Sequence, residues 1–169
     1  MGSESPMHKL LSLSFRGRLL RTIASSGFVL LFAASAQAGP LKLVKAHASG
    51  QIVSQVFCGL TEVCQEVHVT GTATVLGRFT GVLTEVVDIT DGTYAGTGVF
   101  TMSDGSTITT EFAGQVTPPD ENGRSLFAES HQIVDGTGKY ATASGNLEVV
   151  GMGDAQLNIQ IVGVGTLRR

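Results

Sequence analysis

From about residue 65 onward, apolar or small residues fall at every second position. Val67, Val69, Gly71, Ala73 and Val75 make one face, while Glu66, His68, Thr70, Thr72 and Thr74 make the other. A period of two is that of a strand with one face buried. The alternation recurs in Phe79, Gly81, Leu83, Glu85, Val87, then in Tyr94, Gly96, Gly98, Phe100, Met102, and then in Ile108, Thr110, Phe112, Gly114, Val116. Leu157, Ile159, Ile161 and Gly163 repeat it near the end. Asp91-Gly92 and Asp104-Gly105 sit between such runs, where tight hairpins require positive φ, so neighbouring strands are expected to be antiparallel. The longer connection 117–124 contains Pro118 and Pro119, which cannot donate to a ladder, and reads as a loop over one end of the sheet. Segments near 41–54, 65–76, 78–88, 93–102, 106–116, 125–134, 145–150 and 156–165 give eight strands. An all-β meander of this kind hides its edges by closing, and the expected fold is a single antiparallel eight-stranded barrel.

The first 38 residues break the pattern. Lys9, Arg16, Arg18 and Arg21 precede a short apolar run, Ile23 to Ala34, and Ala36-Gln37-Ala38 offers small residues at the −3 and −1 positions of a cleavage site. This reads as a signal peptide over 1–38, with export to the periplasm or the cell exterior. A membrane span needs roughly 20 apolar residues, so stable membrane insertion is not expected. The remaining chain is divided into an N-terminal strand with a cysteine loop, 39–65, and a barrel domain, 66–169.

Charge narrows the partners. The leader holds four of the eleven Lys and Arg but only one of the fourteen acids, so residues 39–169 carry 7 basic and 13 acidic groups, a net charge of −6. Nucleic acid requires a positive face and is excluded as an expected partner. Cys58 and Cys64 are the only cysteines. A lone C-x5-C pair lacks the four ligands of a zinc site, and in an oxidising compartment a disulfide closing a loop between two strands is preferred over two free thiols.

Residues 127–149 carry a more particular pattern: Phe127 to Val134 as a strand, then Gly136-Thr137-Gly138, the aromatic Tyr140, small residues and Gly145. This segment resembles the signature shared by plant allene oxide cyclases, dirigent proteins and bacterial secreted proteins with that calycin-type barrel. Residues 93–100 and 162–167 are also similar to the bacterial members, so the likeness covers most of 66–167. The resemblance implies a β-barrel with a hydrophobic cavity, often assembled as a homo-oligomeric trimer. It does not fix an enzyme, because the fold serves both cyclisation and mere confinement of a substrate. No catalytic residue transfers. Gly136-Thr137-Gly138 is not a phosphate loop, since no helix follows it.

The expected ligand pocket is lined by the inward face of Phe79, Leu83, Glu85, Val87, Tyr94, Phe100, Ile108 and Phe112. The inward glycines, Gly71, Gly81, Gly96, Gly98 and Gly114, either leave that interior unfilled or only let a small barrel close; both readings stand. The candidates for chemistry are Glu85, Glu129 and His131, with Tyr94 beside them. Segment 125–134 has two registers. One puts Phe127, Glu129, His131 and Ile133 inside; the preferred one puts Leu126, Ala128 and Val134 inside and leaves Glu129 and His131 in solvent. His47 and His68 are expected to be exposed. No metal spacing or Gly-x-Ser-x-Gly is present, and no cofactor is expected. Three functions fit: noncatalytic confinement of a small apolar ligand, which leads; a cyclase or isomerase using Glu85, Glu129 or Tyr94; and an oligomeric interaction protein with a filled barrel.

Overall fold

The alternating segments form eight strands in this computed structural model, which describes residues 39–169; the signal-peptide reading of 1–38 lies outside the described residues. They are β1 (Lys42–Phe57), β2 (Glu62–Ala73), β3 (Gly77–Asp88), β4 (Thr93–Met102), β5 (Thr107–Val116), β6 (Ser125–Gly136), β7 (Ser144–Gly153) and β8 (Asn158–Arg168). Each pairs antiparallel with the next, and β8 returns to β1 from Lys42↔Leu167 to Gln51↔Asn158, closing the barrel. Among the described residues, closure gives every strand of the barrel wall a partner on both sides. Gly92 and Gly105 take φ of 75° and 80°, the positive values that their turns demand. The division at residue 65 is not seen in the structure: Val44 and Ala46 alternate inward like their neighbours, and β1 is a full stave bonded to both β2 and β8.

The two ends differ. At one end Tyr140, in a short 3-10 turn at Gly138–Tyr140, is wholly buried against Val44, Ala46, Ala73, Met102, Ile108 and Leu167. Burial of such a ring contributes about 2–3 kcal/mol and plugs that end. The glycine-rich segment singled out in the sequence is therefore the stopper. At the other end β1 outruns its β8 partner, so Ser54 to Phe57 pair with β2 alone and a hairpin stands above the rim. The Cys58–Cys64 disulfide closes its tip.

The middle of the barrel is filled by a regular device. Phe79 lies opposite Gly71, Phe100 opposite Gly81, Tyr94 opposite Gly114 and Phe127 opposite Gly151 on neighbouring strands. A Cβ added at Gly71, Gly81 or Gly114 would stand 2.7, 2.7 or 2.6 Å from atoms of the facing aromatic side chain. The glycines therefore seat rings rather than leave space, and the rings cover the bare backbone. Empty volume has to lie where the inward residues are aliphatic, near the open end.

Candidate functional site

The open end leads into a cavity of about 430 Å³. Its walls are Val63, Val67, Leu83, Val87, Ile159 and Ile161, and its polar side chains include Gln65, Glu85, Tyr94 and Glu129. That size falls in the roughly 300–1,000 Å³ range of small-molecule sites. A second space of about 70 Å³ lies toward the plugged end, with Phe79, Phe100, Ile108, Thr110 and His131 in its lining. The single pocket expected from the sequence is thus two. Leu83, Glu85, Val87 and Tyr94 line the open cavity, and Phe79, Phe100 and Ile108 line the smaller one. Phe112 lines neither; it is buried and stacks on the His131 imidazole, with ring centroids 4.7 Å apart. This ring layer separates the two spaces.

Period two carries Glu85 inward between Leu83 and Val87. Register then sets it opposite Gln65 on β2, which lies opposite Gln55 on β1. Gln55 Nε2 donates to Gln65 Oε1 at 3.1 Å, and Gln65 Nε2 donates to Glu85 Oε1. Glu85 Oε2 has no partner among the described residues and is not sealed from solvent. Burial pushes the Glu85 carboxyl up to about 7; the Gln65 hydrogen bond and His131 hold it down, while the Glu129 charge adds to the rise.

A second polar group lies beside it. Tyr94 Oη donates to Glu129 Oε2 at 3.0 Å, His131 Nε2 pairs with Glu129 Oε1 at 2.9 Å, and His131 Nδ1 meets Thr110 Oγ1 at 3.0 Å. With Nε2–H donating to the carboxylate, Nδ1 either accepts the threonine hydroxyl or, protonated, donates to it. Burial first, and then the Glu129 charge, raise the Tyr94 phenol far above its ordinary value, so it stays a donor. Gly114 makes this arrangement possible. It lies between Tyr94 and Glu129 in register, and only a residue without Cβ lets the phenol cross β5 to the carboxylate.

The preferred register of β6 is overturned. Glu129 and His131 are 8 % and 4 % exposed, whereas Leu126, Ala128 and Val134 face out. Both faces of 125–134 carry apolar residues, so alternation alone could not decide. Pairing does: Phe112 sits opposite His131 and Gly114 opposite Glu129, which draws those side chains to the face of β5 already committed inward. A bulge follows, with Thr109 opposite Asp135 and Thr110 opposite Ile133, leaving Val134 unpaired and outside. His47 and His68 are exposed, as their polar neighbours imply. Gln55, Gln65 and Thr110 were missed as site residues. Gln65 shares the parity of Val67, so its inward face was legible; that it meets Glu85 was not.

Glu129 has both oxygens occupied by protein donors, and no buried side-chain polar atom lacks a partner among the described residues. The Tyr94–Glu129–His131–Thr110 chain is thus a satisfied network that rigidifies the barrel middle. Among the described residues, Glu85 Oε2 is the one carboxyl oxygen of the lining without a protein partner, beside the neutral side chains of Gln55, Gln65 and Ser125. Among the described residues no three His, Cys, Asp or Glu side chains converge as a metal site. No family model, curated protein or solved structure matches the chain.

Proposed function

We propose that this protein is an exported binding barrel that confines a small, largely apolar molecule in its open cavity, with Glu85 as the polar contact and without covalent chemistry. The observation that carries the reading is an aliphatic cavity of about 430 Å³ holding one carboxyl oxygen free of protein partners. Glu129 is already held by Tyr94 and His131, so Glu85 is the one carboxyl of the lining with an oxygen open to a ligand, which suits holding a polar end in place. The likeness of 127–149 to allene oxide cyclase and dirigent-type barrels points the same way, and we place the chain among them as part of the proposal. Export is supported by the order of residues 9–38 and by the Cys58–Cys64 bridge, a bond typical of oxidising compartments. Transmembrane barrels turn apolar residues to lipid and polar ones inward. Here the cavity walls are mostly aliphatic, and the charged Lys45, Glu111 and Glu148 stand outside among threonines and valines, which supports a barrel in water.

The test is a titration with prodan, a small neutral dye whose emission shifts blue in apolar surroundings. The mature protein should bind it saturably at one site. Gly153 lies at the cavity, and a Cβ added there would meet nothing closer than 3.8 Å. Gly153→Trp should therefore fill the mouth with little strain and lower prodan affinity by tenfold or more. Binding that the variant leaves intact would refute the cavity as the site.

A further inference from the structure

The nature of the ligand can be taken further from the charges around the cavity. None of the seven Lys and Arg residues in 39–169 lines it. Arg124, the nearest in sequence to the lining residues Gly123 and Ser125, is turned to Asp120, with Nη2 3.0 Å from Oδ2. The lining instead holds three acids, Glu85, Glu129 and Asp154. Asp154 is engaged by its own turn, accepting from the Gln156 and Asn158 amides at 2.9 Å, and Glu129 is shared between Tyr94 and His131. The Tyr94 hydroxyl proton is likewise committed to Glu129. Of the carboxyl oxygens in the lining only Glu85 Oε2 is open to a ligand; the other open polar groups, on Gln55, Gln65 and Ser125, are neutral, and no Lys, Arg or His lines the cavity to neutralise a ligand's negative charge.

We infer, resting on the cavity reading above, that the ligand class is an apolar amine: a short hydrocarbon lying among Val63, Val67, Leu83 and Ile159, with its ammonium on Glu85. A carboxylate-tailed molecule would bring like charge to Glu85 in a poorly hydrated space, where repulsion is strongest. A neutral alcohol can donate one hydrogen bond, but a charge-assisted bond is roughly twice as strong. The aromatic side chains of Tyr94 and Phe127 also belong to the lining, and aromatic faces attract cations.

The inference carries a pH signature. The groups facing Glu85 are Gln65 from β2, Tyr94 from β4, and Glu129 and His131 from β6, with Asp154 at the rim. An alkylammonium, like that of lysine, keeps its proton to about pH 10. The amine then binds best once Glu85 has lost its proton. Affinity rises with pH up to about 7 and levels off above it, and at pH 6 it is expected to be roughly tenfold weaker than at pH 8.

Octylamine, 1-octanol and octanoate, competing with prodan on the mature protein at pH 6 and pH 8, separate the cases. Octylamine should displace prodan at tenfold or more lower concentration than either partner at pH 8, and lose that advantage at pH 6. Glu85→Gln should abolish the amine preference while octanol, which reports that the variant is folded, competes as before. Octanol or octanoate competing as well as the amine, or a preference that survives Glu85→Gln, would overturn the amine assignment while leaving the cavity reading standing. Prodan that does not bind, or is displaced by none of the three, would remove the cavity reading and this inference with it.

Discussion

Glu85 bears a cost that its position explains. In an extended chain its carboxyl titrates near 4.5, while in the barrel burial moves it to about 7. Between those values the folded state holds a proton that the unfolded state has released, so stability falls as pH rises through this window. Below about 4.5 the effect vanishes, because both states are protonated; above about 7 the full penalty applies. Gln keeps the shape and the partner on Gln65 without the charge. Glu85→Gln should therefore match the parent in urea unfolding at pH 4 and exceed it at pH 8 by on the order of 2 kcal/mol, after allowance for the opening of the cavity to water. Equal stability at pH 8 would mean that the carboxylate is well solvated and is not held in the cavity. A residue that lowers stability at neutral pH while facing a cavity fits ligand contact better than packing.

At the scale of elements, the β1–β2 hairpin is the piece that a reducing agent should affect. Its disulfide spans a sequence separation of 6, and so small a loop stabilises by about 2 kcal/mol in the chain-entropy model. The chain is expected to be exported and to begin near Gly39, to gain about 2 Da on reduction and alkylation-free mass analysis, and then to unfold at lower urea. A mass showing free thiols before reduction would contradict this. The hairpin was legible in the sequence because two cysteines flank a short break between strands. β2 to β5 were legible for a similar reason: one parity holds the aromatics, the glycines and most of the valines, and the other holds most of the threonines. β6 was not, because its side-chain chemistry is mixed on both faces and a bulge at Val134 interrupts the period. The pairing of Gly114 with Tyr94, and through it the contact with Glu129, depends on cross-strand register, which no single strand encodes. The same limit concealed the aromatic layer that splits the expected pocket in two.

At the largest scale, the described residues form a closed barrel with one end stoppered by Tyr140 and the other opening on an aliphatic cavity above a satisfied polar network. Closure, strand number and strand direction follow from alternation and turn chemistry, whereas the placing of empty volume follows from where aromatic residues face glycines. A small molecule in the interior and one on the outer wall would perturb different side chains. Methyl-resolved NMR separates these directly, since valines lie on both sides: Val63, Val67 and Val87 line the cavity, while Val82, Val86 and Val99 are exposed on the outside of β3 and β4. On titration with octylamine at pH 8, the inner valine methyls and those of Leu83 and Ile159 are expected to shift saturably, with the outer three unmoved. Shifts confined to the outer valines, or no saturable shifts at all, would contradict binding in the interior.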